Sequence, residues 1–154
     1  MAAEKEMDRV DREILRLIAV DASLSLAEIA DKVGLTPTPC WKRIRRMEQD
    51  GIILRRVAVI APEKVGLGVS VFVCVETADH SGEWLARFAE VVAAMPEIVD
   101  SWRMSGDVDY VLHVVVPDIA AYDGFYRRLI GALPLRNVTS RFAMERMKAA
   151  PLPI

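Results

Sequence analysis

A chain of 154 residues, 53% hydrophobic and 27% charged, is long enough for one ordinary domain or two small ones. That balance excludes wholesale disorder and a disulfide-stapled miniature fold, and no apolar run approaches the roughly 18–20 residues of a membrane span. The formal net charge of −2 hides one compact basic block: residues 36–56 carry six Lys/Arg against two Asp/Glu, between two acidic stretches.

The first ten residues, Met1 to Val10, are acidic and lack the apolar stretch of a secretory signal. Val10, Ile14, Leu17 and Ile18 then share one face of a helix predicted from about Asp8 to Val20. Ser25-Leu26-Ala27-Glu28 is a capping box opening a second helix, whose Leu26, Ile29, Ala30 and Val33 repeat the apolar stripe before Gly34 stops it. Thr36-Pro37 reads as N-cap and first residue of a third helix ending near Asp50, because proline's missing N–H costs nothing there.

Two helices joined by a tight Gly turn behind a leading helix form a helix-turn-helix pattern. At 100° per residue, Cys40, Ile44 and Met47 cluster on the inner face of the third helix. Thr38, Lys42, Arg45 and Gln49 lie opposite, with Trp41 and Arg46 on the flanks, so the outer face carries groups that bond phosphates or base edges. DNA binding is the reading; a helical hairpin with a cationic solvated face is the alternative. Arg55 and Arg56 fall in a strand predicted over 52–60 and would serve as a backbone-contacting wing.

Beyond Pro62 and the Gly66-Leu67-Gly68 boundary the predicted order is strand 68–76, helix, strand 98–105, strand 109–116, helix, strand 137–147. One helix stripe is Trp84, Phe88, Val91, Val92 and Met95; the other is Ile119, Tyr122, Tyr126, Leu129, Ile130 and Leu133. An internal match at an offset of 38, Ala94-Met95-Pro96 with Ala132-Leu133-Pro134, supports a duplicated βαβ unit. The fold class is α+β: a winged-type helix-turn-helix followed by a ferredoxin-like βαββαβ domain with both helices on one face. The expected divisions are 1–52 for DNA binding, 53–67 as strand and hinge, and 68–154 for effector binding and oligomerisation. The first and third strands read as apolar on both faces, so the bare face requires burial, most simply against a second copy. A two-fold dimer would also pair two recognition helices on a pseudo-palindromic site.

Ser105-Gly106-Asp107-Val108-Asp109-Tyr110 reads either as a hairpin turn or as a small-ligand loop. Amides beside a glycine hold carboxylates, and Asp107 or Asp109 would hold an ammonium, which together describe an α-amino acid. Catalytic residues are not found: neither His80 nor His113 has a spaced partner, and no Gly-rich phosphate loop occurs. Cys40 and Cys74 form no CxxC pair, suit a reducing compartment and offer no metal site; no cofactor is expected.

The run Gly34-Leu35-Thr36-Pro37-Thr38-Pro39-Cys40, continuing through Trp41-Lys42-Arg43-Ile44-Arg45-Arg46, resembles the recognition helix of the Lrp/AsnC (feast/famine) transcription regulators. Ser105 to Tyr110 resembles that family's effector loop, and the likeness runs from Asp8 to Met147. It implies a cytoplasmic, nucleoid-associated bacterial regulator that binds double-stranded DNA, dimerises through the sheet domain and assembles into octamers. DNA contacts would come from Thr36, Thr38, Trp41, Lys42, Arg43, Arg45, Arg46, Arg55 and Arg56. The amino-acid effector would meet Trp102, Arg103, Met104, Ser105, Gly106, Asp107 and Asp109, with Val138, Thr139 and Ser140 lying opposite. His80 to Trp84 and Phe142 to Glu145 resemble a branch acting in cysteine detoxification, which makes cysteine the first effector to test. An architectural DNA-wrapping protein without ligand response is the alternative.

Overall fold

The computed structural model describes residues 7–154, so part of the acidic start, residues 1–6, lies outside the described residues. The chain forms two compact units: residues up to 59 together with 148–154, and residues 60–147.

The first unit holds α1 (Arg9–Val20), α2 (Leu26–Lys32) and α3 (Pro37–Gln49). Each of the first two starts on a reciprocal cap. The Asp8 carboxylate accepts from Asp11 N at 2.9 Å while the Asp11 carboxylate accepts from Asp8 N at 3.2 Å. Ser25 Oγ accepts from Glu28 N at 3.3 Å and Glu28 accepts from Ser25 N at 2.8 Å, as the capping box requires. Gly34, at φ +68°, turns the chain from α2 towards α3 through a left-handed conformation that other residues adopt at a cost. Ile14, Leu15 and Ile18 of α1 pack on Ile29 and Ala30 of α2 and on Cys40, Ile44 and Met47 of α3. The inner face assigned to the third helix is therefore the buried one.

One expectation about this unit fails. No strand covers 52–60: from Leu54 to Ile60 the chain joins no ladder among the described residues and is exposed. The β-branched residues there favour extended chain, but a ladder needs a second strand, and the described residues offer none. The last seven residues, 148–154, cluster in space with the helices. Ile154 packs beside the helical core and its carbonyl accepts from Arg16 Nε at 2.6 Å.

The second unit opens with a 3-10 turn, Pro62–Val65, and continues β1 (Val69–Glu76), α4 (Gly82–Ala93), β2 (Ile98–Arg103), β3 (Tyr110–Val116), α5 (Ile119–Ala132) and β4 (Asn137–Phe142). All pairings are antiparallel in the order β2-β3-β1-β4, which is the expected split βαβ arrangement. The fourth strand stops at 142 rather than 147, its last paired residue being Phe142 opposite Val71. Val71, Val73 and Val75 of β1 and Leu112, Val114 and Val116 of β3 meet Trp84 and Phe88 of α4 and Tyr122, Phe125 and Leu129 of α5 in one core. The α5 stripe is rotated from the predicted one. Phe125 is fully buried, whereas Ile119 and Ile130 are exposed.

The other sheet face presents Ser70, Phe72 and Cys74 of β1 opposite Val115, His113 and Val111 of β3. His113 Nε2 lies 2.6 Å from Ser70 Oγ and its ring stacks on Phe72 with centroids 4.7 Å apart. Burial pushes the His113 pKa below the ordinary histidine value of 6.5. The unfolded chain then binds the proton more readily than the fold does. The contribution of His113 is present above the unfolded value and lost as pH falls through the folded one. Between pH 7.5 and pH 5 the melting temperature of the wild type is expected to fall more than that of His113→Gln; equal falls would refute this.

Candidate nucleic-acid interface and effector loop

On α3 the side chains divide into an outer and a tethered set. Thr36 caps the helix through its backbone geometry alone, leaving its hydroxyl uncommitted, and Thr38 is exposed one turn away from the core. Trp41 stands 49% exposed with the Arg45 guanidinium 5.8 Å from its ring centroid, a cation–π contact that preorganises the arginine. Arg45 Nη1 also bonds Glu48 Oε2 at 3.2 Å, and Arg56 Nη2 reaches Glu48 Oε1 at 3.4 Å. Lys42 and Arg55 are exposed, so Thr36, Thr38, Trp41, Lys42 and Arg45 share the helix surface and Arg55 and Arg56 follow in the unpaired segment.

Arg43 and Arg46 are placed differently. Arg43 Nη1 donates to Asp8 Oδ2 at 2.6 Å and to Asp11 Oδ1 at 2.8 Å; Arg46 Nη2 pairs with Asp11 Oδ2. Asp11 itself is only 1% exposed. The two arginines thus tie α3 to α1, although both were counted among the expected DNA contacts. The pairing raises the Arg43 pKa, through the Asp11 and then the Asp8 hydrogen bonds; the Asp8 pKa is lowered first by the Asp11 backbone N–H it accepts and then by Arg43. A charged residue at an inner position of α1, in helical step with Ile14, Leu15 and Ile18, was the available signal for this.

The effector candidates lie at the β2–β3 turn. Met104 N donates to Asp109 O at 2.8 Å and Asp109 N to Val75 O at 3.0 Å, which closes the hairpin against the end of β1. Gly106 at φ +129° makes the reversal, and Ser105, Gly106 and Asp107 stand exposed beyond the last paired residues, Arg103 and Tyr110. The two aspartates have different surroundings. Asp109 Oδ2 accepts from Thr77 N at 2.8 Å and Oδ1 sits 3.8 Å from His80 Nδ1, whereas Asp107 is fully at the surface. Thr77 and His80, from the β1–α4 turn, are neighbours of the loop that the motif did not reveal.

Trp102, Arg103 and Met104 are exposed, but Val138, Thr139 and Ser140 do not face them within one chain. β4 pairs with the far side of β1, so β1 and β3 separate it from β2. Along β4, Thr139 pairs with Cys74 on the helix-free face, while Val138 and Ser140 alternate to the other, where the Ser140 hydroxyl bonds Tyr122. A pocket lined by both sets needs a second chain.

Residues 7–53 match the family described as Winged helix-turn-helix DNA-binding, and residues 70–153 match the Lrp/AsnC ligand binding domain. The protein belongs to the Lrp/AsnC family of DNA-binding transcriptional regulators. Among its relatives, the DNA-binding transcriptional activator DecR of Escherichia coli K12 is 49% identical over 150 residues, 96% of this chain and 99% of that protein. The Glutamate uptake regulatory protein of Zymomonas mobilis is 41% identical over 97% of this chain and 93% of its own. An AsnC family transcriptional regulator from Agrobacterium tumefaciens has a crystal structure that superposes with a TM-score of 0.90, at 58% identity, covering 96% of this chain and 97% of that one. A Neisseria meningitidis transcriptional regulator in complex with L-Met superposes equally well, TM-score 0.90, at 27% identity over 96% of this chain and 97% of that one. No helix among the described residues is long and apolar enough to cross a membrane.

Proposed function

We propose that this protein reads double-stranded DNA with the outer face of α3 and that its DNA binding or assembly responds to a small amino acid held at the β2–β3 loop. The observation that carries the reading is the outer surface of α3, where Lys42 is exposed and Arg45 is propped by Trp41 and Glu48, on a scaffold matched to DNA-binding domains. Lys42, Arg45, Thr36, Thr38 and Trp41 meet the groove; Arg55 and Arg56 meet phosphates. Arg43 and Arg46 position the helix.

The effector surface comprises Trp102, Arg103, Met104, Ser105, Gly106 and Asp107. Exposed Asp107 suits the ammonium, and the amides around Gly106, outside the strand ladder, suit the carboxylate. Asp109 holds the loop in shape through Thr77. Val138, Thr139 and Ser140 complete the site from another chain, which fits a homodimer that assembles further, to an octamer. The half-exposed apolar residues of the helix-free face, Phe72, Val111 and Val115, support that pairing.

The test is a thermal-shift screen of the purified protein against the twenty amino acids, followed by gel shift on DNA selected from a random pool. Cysteine is the first ligand; methionine, bound by the Neisseria meningitidis regulator, and glutamate, whose uptake the Zymomonas mobilis regulator is named for, come next. A ligand at one hundred times its Kd adds about 2.7 kcal/mol, a rise of several degrees. A selective hit that also changes operator affinity supports the sensor. Sequence-tolerant binding with no hit at millimolar ligand favours an architectural DNA-wrapping role.

A further inference from the structure

We infer that Asp11, assisted by Asp8, is a specificity-determining residue: it withholds the charges of Arg43 and Arg46 from DNA phosphates and so suppresses sequence-independent binding. The inference rests on the DNA-binding reading of α3.

The basic block of residues 36–56 would, if every cation were available, form an indiscriminate phosphate-binding surface. Two of its six cations are neutralised from the opposite helix. Both carboxylate oxygens of Asp11 are engaged, Oδ1 by Arg43 and Oδ2 by Arg46, and Arg43 bonds Asp8 as well. Two carboxylates thus face two guanidiniums, and a third, Asp50 Oδ2, stands 4.0 Å from Arg46 Nε. Distance from water does not sequester the arginines. Their side chains are 28% and 24% exposed, and they line one shallow cleft together with Lys42 and Asp8. They stand at the surface beside an outward lysine, turned inward by charge.

Asp11 supplies the asymmetry. Were either arginine to leave for a phosphate, a fully buried carboxylate would lose a counter-charge, which is strongly unfavourable. A phosphate, equally present on every sequence, does not repay that loss. Among the described residues Lys42 and Arg45 carry no such obligation to a buried group: Lys42 is exposed, and the carboxylate that Arg45 meets, Glu48, is partly exposed. Specific binding draws on the outer face, while non-specific binding loses two of its contributors.

The experiment measures affinity for a random-sequence duplex and for a duplex selected from a random pool, each from 50 to 200 mM salt. Each phosphate-bound cation contributes about 0.9 to the slope of log K against log salt. In Asp11→Asn the slope on random duplex is expected to steepen by about 0.9–1.8. This makes the affinity lost across that salt range about 3.5-fold greater for each arginine released. The selected-to-random affinity ratio falls, and the added slope disappears in Asp11→Asn/Arg43→Ala/Arg46→Ala. A residue that only held helices together would change melting temperature without steepening the slope.

Circular dichroism checks folding. If Asp11→Asn unfolds, Asp8→Asn, an exposed change, carries the test with a smaller steepening in the same direction. An unchanged slope in the folded variant overturns the inference. So does a fall of about 0.9 for Arg43→Ala in the otherwise unaltered protein, since that arginine would already be on phosphate. Lys42→Ala separates this from the underlying reading. If the wild type binds neither duplex, or Lys42→Ala leaves the slope unchanged, the assignment of α3 fails. If Lys42→Ala lowers it by about 0.9 while Asp11→Asn does nothing, only the role of Asp11 fails.

Discussion

Truncating Phe125 to alanine is expected to destabilise the sheet domain by about 3–5 kcal/mol, the usual cost of deleting a buried aromatic ring. Phe125 is fully buried at the centre of α5, beneath a sheet whose own core contribution is mostly valine and leucine. Valines are short and stiff at χ1, so they cannot collapse into the space a lost phenyl leaves. Thermal unfolding of Phe125→Ala, with Ile130→Ala as the exposed comparison on the same helix, measures the difference. A loss below about 1 kcal/mol for Phe125→Ala would mean that α5 repacks, and that the aliphatic stripe read from sequence is available to it.

The second large effect is expected at Arg45. If its guanidinium bonds a base edge, Arg45→Ala costs about 1–3 kcal/mol on the selected duplex and relaxes preference at one position. Its surroundings favour that role. Trp41 lies under the guanidinium and Glu48 holds one of its nitrogens, so the fork reaches the groove with part of its rotamer freedom already removed. Trp41→Ala should then weaken selected binding through Arg45, and the double variant should lose less than the sum of the two. Competition gel shifts with single-position substitutions give the readout. An equal loss on every sequence would assign Arg45 to phosphate.

The helices of the first unit were legible because their signals are local. Ser25 with Glu28, Thr36 with Pro37 and the Cys40–Ile44–Met47 stripe lie within a turn or two of the groups they satisfy. The segment 52–60 shows the limit. Its residues favour extension, but whether extended chain becomes a strand depends on a partner that no local pattern names. On α5 the two candidate stripes differ by a rotation of under a turn, and Phe125 won over Ile119 and Ile130 because two sheet strands had to be covered at once.

The candidate sites divide the same way. The loop Ser105 to Tyr110 and the outer face of α3 stand where periodicity and turn chemistry put them. Arg43 and Arg46, counted among the DNA contacts, turn to partners 32 and 35 residues earlier in the chain, which no local pattern reveals. Within one chain Val138 to Ser140 stand at the sheet edge away from the loop, because sheet order, which no run of residues encodes alone, places β4 beside β1.

Residues 148–154 cluster in space with the helices, although the ligand-binding family match runs on to residue 153. A ribosome releases α1, α2 and α3 early, yet the contact of Ile154 with Arg16 forms only after β4 has left the tunnel. Changes to residues 148–154 are therefore felt first at α1, the helix that also carries Asp11.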